Sequence, residues 1–195
     1  MAWTNENGRK CFLETANILE SLDIPYFLIQ GTALGAYRDH GFTPTEKDID
    51  IGILQEHMGT MARRLVDVLM LNQFQIETWL LPFHQIRTIV AWKYGVHADL
   101  VGFIKYGDLR FMHTPVHPSV PKPYALVHNA KLLENYQQVK AFDHIFNVPS
   151  PIEEYLEVEY GSNWRTPKDD HESRTRIYSF VEKRNIPHDL LPPQS

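Results

Sequence analysis

The residues best placed to do chemistry form the run Lys47-Asp48-Ile49-Asp50-Ile51. Residues 48–54 alternate strictly, with Ile49, Ile51 and Ile53 on one side and Asp48, Asp50 and Gly52 on the other. That is the period of a strand half-buried against a core. Side chains two positions apart on a strand project from one face about 6–7 Å apart, and two carboxylates held that close repel each other at neutral pH. A divalent cation relieves the repulsion. Hard oxygen ligands suit Mg²⁺ or Mn²⁺, ions that also bridge to substrate phosphates. A plainer reading makes the two aspartates the solvated side of an edge strand. Three isoleucines on the opposite side and the poor strand propensity of aspartate weigh against it.

Two further features lie within reach of this pair. Gly31-Thr32-Ala33-Leu34-Gly35 follows a short apolar run, residues 26–29, that reads as a buried strand. A glycine between strand and helix lets backbone amides approach a phosphate, and a helix N-terminus favours an anion. Gly31, Thr32 and Gly35 are therefore candidate phosphate-binding residues, although a plain turn with Thr32 as helix cap has the same sequence. Arg38, about one helical turn beyond Gly35, is a candidate partner for the same phosphate. His97-Ala98-Asp99-Leu100-Val101 places Asp99 between apolar neighbours in another expected strand. Asp99 gains value if that strand lies beside the one carrying Asp48 and Asp50.

Other suggestive residues read as structural. Trp92 is expected in the core rather than as a platform for a base, and Arg87 and His84 as packing residues rather than pocket lining. His113 and His117 have Pro115 between them, so they do not share a helical face as a zinc-binding pair would. Tyr160, Asn163 and Trp164 read as a lock at a helix end, and Lys168-Asp169-Asp170-His171-Glu172 as a solvated charge run. No serine stands in a nucleophile-elbow context, and there is no Walker-type loop.

The elements that must position these groups follow from periodicity. Phe12, Ala16, Leu19 and Leu22 give residues 10–22 one apolar helical stripe; Met58, Met61, Ala62, Leu65, Val68 and Leu69 do the same for residues 55–71. Residues 32–37 read as one or two helical turns. Residues 74–80, 85–92, 97–104 and 108–112 are rich in β-branched and aromatic types and read as strands, with Gly95 and Gly107 at hairpin turns. Pro115, Pro118, Pro121 and Pro123 mark a loop. Ser150-Pro151-Ile152-Glu153 has the pattern of a capping box with proline at the first helical position, opening a helix closed by Gly161. A final helix over 172–184 and a frayed proline-rich tail over 187–195 complete the expectation. Helices interleaved with a strand-rich middle give an α+β class, a mixed sheet with helices packed on it.

Composition agrees with a folded domain. The chain has 195 residues, 43% hydrophobic and 22% charged, which excludes a disordered, collagen-like or coiled-coil chain. With 24 acidic against 19 basic residues and a net charge of −5, it is a poor candidate for binding nucleic acid or an anionic membrane surface. The single cysteine, Cys11, forms neither an intrachain disulfide nor a cysteine zinc cage, which fits a reducing compartment. No apolar run approaches a membrane span of about 20 residues and the first ten residues lack a signal-peptide core, so a cytoplasmic location is expected.

Gly-Thr-Ala-Leu-Gly-Ala-Tyr-Arg at 31–38, Pro44, and Lys-Asp-Ile-Asp-Ile-Gly-Ile at 47–53 resemble the LicD and fukutin family of the nucleotidyltransferase-fold superfamily. Val148-Pro149, Glu153, Tyr155-Leu156, Tyr160-Gly161, Asn163-Trp164 and Pro167 resemble that family's closing segment, so the likeness runs over roughly residues 10–170. The superfamily pattern is a glycine and a small residue after the first strand, two acids two apart on the next, and a third acid on a later strand. Here these fall on Gly31-Thr32, Asp48 with Asp50, and Asp99. Many family members carry a run of acids before the pair; Glu46 and Lys47 stand there in this chain, so the loop is not counted on for a third ligand. The zinc-binding cysteines of some relatives have no counterpart, and no stretch matches the membrane anchor of secretory-pathway members.

The resemblance implies a nucleotidyltransferase-like mixed sheet over residues 1–170, with 171–195 as a C-terminal helix and tail. It implies a metal-dependent transferase that moves a phosphorylated polyol or phosphocholine from a cytidine-diphosphate-linked donor to a sugar or glycan hydroxyl. Asp48, Asp50 and Asp99 would be the catalytic residues and the ligands of Mg²⁺ or Mn²⁺, Asp99 as a further ligand or as the base. Gly31, Thr32, Gly35 and Arg38 would hold donor phosphate. Two alternatives stay open. One is nucleotidyl transfer to a small molecule from a nucleoside triphosphate, and the other a non-catalytic nucleotide-binding module.

Overall fold

The computed structural model describes residues 5–80, 86–113 and 125–167. Helix α1 (Asn5–Ser21) buries Cys11, Phe12, Thr15, Ala16, Ile18 and Leu19, the expected stripe. It begins five residues earlier than the stripe does, because its polar first turns hold only one buried residue, Gly8, and so carry no periodic signal. The chain then forms β1 (Phe27–Leu28), the short helix α2 (Gln30–Leu34) and a π-helical turn over Gly35–Asp39. A turn in which the Glu46 N–H donates to the Thr43 carbonyl (3.2 Å), with Pro44 fixing its φ, leads into β2 (Ile49–Leu54) and α3 (Gln55–Leu71).

Strands β3 (Gln75–Leu80), β4 (Ile86–Lys93), β5 (Val96–Tyr106), β6 (Leu109–His113) and β7 (Ala125–Asn129) complete a seven-stranded sheet with the order β1-β2-β5-β4-β3. β6 pairs with the far end of β5 and β7 with β6. Every pairing is antiparallel except β2 with β5, which is parallel. The class is α+β, as expected. Strand boundaries differ from the expectation by one or two residues, and Asp48 lies at a bend just before β2 rather than inside it.

Register sorts the residues by face. Asp50 of β2 pairs with Asp99 of β5, Asp99 with Val90 of β4, and Val90 with Glu77 of β3. A neighbouring row runs His97, Trp92, Gln75, and the row on the other side Gly52, Val101, Thr88, Trp79. The opposite face carries Ile49, Ile51, Ile53, Ala98, Leu100, Ile89 and Ala91, all fully buried, and α1 and α3 pack on it. Burying each large aliphatic side chain contributes about 1.5–3 kcal/mol. That apolar face fixes the register, because a one-residue slip would turn the aspartates into the core.

Of the remaining elements only the helix closed by Gly161 was apparent in the sequence. Helix α4 (Ala130–Glu134) leads to the hairpin β8 (Tyr136–Ala141) and β9 (His144–Pro149) and to helix α5 (Ile152–Tyr160). Phe12 stacks on Phe146 (4.5 Å between ring centroids) and Phe27 on Tyr136 (5.2 Å), joining the hairpin to α1 and β1. The hairpin reverses at Phe142-Asp143, both at positive φ (52° and 63°). Hairpin turns of this kind are usually Asn-Gly or Asp-Gly, so the sequence signal was missing. The capping box also fails. Pro151 is the residue before α5, and the Ile152 N–H is taken by the Gln137 side-chain oxygen (3.0 Å), a partner from β8. The helix expected over 172–184, the tail, the prolines at 115–123 and the charge run at 168–172 lie outside the described residues.

Ile51 sits on β2 between β1 and β5, fully buried and directly after Asp50. Ile51→Ala is expected to lower the unfolding free energy by about 2–4 kcal/mol, read from urea denaturation; a loss below about 1 kcal/mol would contradict the packing described.

Candidate active site

The parallel pairing of β2 with β5 brings Asp50 and Asp99 side by side. Asp48, at the bend before β2, and Glu46, in the preceding turn, complete the group. One ligand atom each from Glu46, Asp48 and Asp50 lie within 4.8 Å of one another, and so do those of Asp48, His97 and Asp99. Asp48 belongs to both triplets. The structure therefore joins Asp48, Asp50 and Asp99, as the sequence led one to expect, and adds Glu46 and His97. Glu46, whose loop was not counted on for a third ligand, is placed in the cluster: the tight turn at Pro44 brings a buried Glu46 back to it. His97 was hidden because its signal is only its place, two residues before Asp99 on the same strand face.

The backbone of Asp50 is clamped. Its N–H donates to the Thr32 hydroxyl (2.8 Å), and its carbonyl accepts from the Ile29 N–H (3.2 Å). Thr32 is thus not a helix cap; Ile29 precedes α2 with no side-chain cap. With its oxygen accepting from Asp50, the Thr32 hydroxyl keeps its own proton to donate. Gln30, at φ 47°, donates its N–H to the Tyr155 hydroxyl (2.9 Å), so α5 braces the same corner. A Cβ on Gly31 would collide with the Glu46 carboxylate, which makes glycine a requirement for seating Glu46. Gly35 packs against the loop backbone: a Cβ there would lie 2.5 Å from the Gly41 carbonyl oxygen and 2.9 Å from the Thr43 nitrogen. Arg38 donates to both Asp39 carboxylate oxygens (2.9 and 2.7 Å) and to the Trp164 carbonyl (3.1 Å). Gly35 and Arg38 thus hold the corner and the closing segment together in this structure. Trp164 is buried and packs beside Tyr37, the expected lock.

Negative charge is concentrated at this cluster. Burial first, then the Asp48, Glu46 and Asp99 carboxylates, hold the Asp50 carboxyl well above the usual carboxylate range. Burial pushes Asp99 up to about 6; His97 works against this, and Asp48 and Glu77 add to it. The Asp99 Oδ1 is buried with no hydrogen-bond partner among the described residues, and His97 Nε2 lies 3.8 Å from it. A buried acceptor left without a donor beside three more carboxylates is the environment a divalent cation fits. The oxygen-only triplet suits Mg²⁺ or Mn²⁺, and the one with imidazole suits Mn²⁺ better.

Aromatic and second-layer groups surround the cluster. Trp92 is 37% exposed and lies 4.3 Å from the His97 ring, which corrects the expectation that it is a core residue. His128 of β7 and Glu159 of α5 form a buried pair (2.9 Å). Burial and Glu159 hold the Tyr155 and Tyr160 hydroxyls well above their ordinary range, so both stay protonated; Tyr160 also feels Glu46, Asp50 and Asp48.

A family model described as LicD/FKTN/FKRP, nucleotidyltransferase domain, matches residues 23–151. The fold is similar to the solution structure of the antibiotic-resistance factor ANT(2″)-Ia, with a TM-score of 0.51 and 12% identity over 88% of this chain and 80% of that one. A crystal structure of ANT(2″)-Ia in complex with adenylyl-2″-tobramycin aligns at a TM-score of 0.47 and 11% identity, covering 87% of this chain and 92% of that one. At these identities the likeness bears on fold alone. No curated protein matches the sequence. Among the described residues no helix is long and apolar enough to cross a membrane.

The raised carboxyls bind protons more tightly folded than unfolded, so without metal the protein loses stability as pH rises from about 4 through about 6. The rise of Asp99 to about 6 corresponds to at most about 3 kcal/mol. Thermal melts in EDTA should fall more steeply over this window for the wild type than for Asp99→Asn, and Mg²⁺ at pH 7 should recover the loss. Parallel pH profiles would contradict the cluster's electrostatics.

Proposed function

We propose, for a chain that belongs to the LicD/FKTN/FKRP nucleotidyltransferase-domain family, that it transfers a phosphorylated polyol or phosphocholine group from a cytidine-diphosphate-linked donor to a sugar or glycan hydroxyl. The observation that carries the reading is the in-register Asp50–Asp99 pair, joined through Asp48 to Glu46 and His97. Phosphoryl-type transfer asks little covalent chemistry of the protein and much positioning and charge stabilisation, and the site is built for both.

Glu46, Asp48, Asp50 and Asp99, with His97, would hold divalent cation, which supplies the positive charge that lets a diphosphate enter a carboxylate-lined site and polarises the attacked phosphorus. The corner at Gln30–Thr32 fixes Asp50 through its backbone, and the Thr32 hydroxyl keeps a proton to donate to a phosphate oxygen. Asp99 serves as a further ligand or as the base that accepts the acceptor's proton. In the step itself, the acceptor oxygen forms a bond to the phosphorus bearing the head group and its proton passes to Asp99. The bond from that phosphorus to the bridging oxygen breaks, and cytidine monophosphate leaves with the electron pair. Trp92, half-exposed beside the cluster, offers a face for the cytosine ring.

Incubation with Mg²⁺ or Mn²⁺ and CDP-ribitol, CDP-glycerol or CDP-choline, with sugar acceptors, is expected to release CMP, and Asp48→Ala or Asp50→Ala to reduce the rate at least about 1,000-fold. Release of pyrophosphate from a triphosphate, with no CMP from any CDP-linked donor, would overturn the reading in favour of nucleotidyl transfer.

A further inference from the structure

Arg87 is 5% exposed. Among the described residues its Nε meets no hydrogen-bond acceptor, and its contact is the Trp79 ring, 5.4 Å from the guanidinium carbon to the ring centroid. Among the described residues no carboxylate pairs with it, and burial lowers its proton affinity. Among the described residues the other deeply buried arginine is treated differently. Arg110, 2% exposed, donates to Glu56, Glu134 and the Phe103 carbonyl. Burying an unpaired charge costs more than a cation–π contact returns. The ring does not offset the burial.

The backbone aims Arg87 on purpose. Trp79 pairs with Thr88 and Leu80 with Ile86, which leaves Arg87 as the extra residue of a β-bulge, a device that re-aims a side chain beside functional sites. Trp79 stands in the row Gly52, Val101, Thr88, Trp79, on the face that carries Asp50 and Asp99. Arg87 lies three positions along β4 from Val90, the partner of Asp99, which is about 10 Å along the strand. It is too far to neutralise the carboxylates and within the span of a substrate bound to them.

We infer that Arg87, backed by Trp79, is a second anion-binding point of the active-site face and takes a phosphate group of the substrate outside the carboxylate cluster. The planar guanidinium presents paired donors that match phosphate oxygens, and the missing counter-charge is the ligand's. The phosphate belongs to the nucleotide donor or to a phosphorylated acceptor; both offer the same chemistry. This inference rests on the transferase reading for which substrate carries the phosphate, but the binding itself needs neither metal nor turnover.

The test measures binding in EDTA by calorimetry and thermal shift, with inorganic pyrophosphate, CDP and ribitol 5-phosphate as probes, on wild type, Arg87→Met and Asp50→Asn. Wild type and Asp50→Asn are expected to bind pyrophosphate, and Arg87→Met to bind at least about tenfold more weakly. The ligand-free melting temperature of Arg87→Met should equal or exceed that of the wild type, because an uncompensated charge has been removed. Arg87-dependent binding of CDP assigns the site to the donor; Arg87-dependent binding of ribitol 5-phosphate assigns it to the acceptor; either supports the site. Equal pyrophosphate binding by wild type and Arg87→Met, or a ligand-free melting temperature several degrees lower in the variant, would overturn it and make Arg87 structural. Should the transferase assay fail while Arg87-dependent binding persists, the reaction is wrong and the anion site stands.

Discussion

The parallel pairing of β2 with β5 sets Asp50 against Asp99, and the rest of the molecule is arranged to make that repulsive contact tolerable. Like charges on adjacent strands are unfavourable in any sheet. Here the opposite face, with Ile49, Ile51, Leu100 and Ile89 all fully buried, makes any other register worse. Apolar burial of several kcal/mol holds in place a set of carboxylates that would drift apart if left to themselves. The cost of the arrangement appears as proton affinity: burial and neighbouring carboxylates raise Asp50 and Asp99. Raised carboxyls clustered on one sheet face mark a functional site more often than a structural one.

The second constraint is the corner between β1 and α2. Its Ile29 amide and Thr32 hydroxyl bind the two sides of the Asp50 backbone, and its Gln30 amide binds Tyr155. Through that phenol the corner is tied to α5, and through Arg38 and the Trp164 carbonyl to the segment after α5. Residues 155–164 thus act on the site as a brace, and Glu159 of α5 forms a buried pair with His128. Groups held from several elements at once keep their geometry when substrate arrives, the preorganisation that positioning and electrostatic stabilisation both need.

Most of the site was legible because its signals were local. The alternation at 48–54 was a face assignment, and the glycine-threonine after a short apolar run was a corner. Asp99 needed one more fact, that its strand neighbours β2, which no local pattern contains. Glu46 and His97 were missed for different reasons: a turn folds Glu46 back, and His97 shows its role only once β5 is aligned with β2. Trp92 was misjudged because a tryptophan in a strand is most often core, while this strand exposes that face beside the cluster. In the fold, the interleaved α+β pattern was readable up to about residue 112. The β8–β9 hairpin was invisible, since its turn is Phe-Asp and its strands are largely polar, Gln137, Gln138 and Lys140 among them. α5 was found, but its N-terminus depends on Gln137, a partner fifteen residues away. Contacts of that kind are tertiary, and local pattern does not encode them.

The account turns on one claim, that the cluster of Glu46, Asp48, Asp50, Asp99 and His97 is a divalent-metal centre. Electron paramagnetic resonance titration of Mn²⁺ at neutral pH measures this directly, with no substrate and no assumed reaction. The wild type is expected to bind Mn²⁺ and the Asp48→Asn/Asp50→Asn double variant to bind it at least about 100-fold more weakly. Equal Mn²⁺ affinity in the two folded proteins would contradict the central claim.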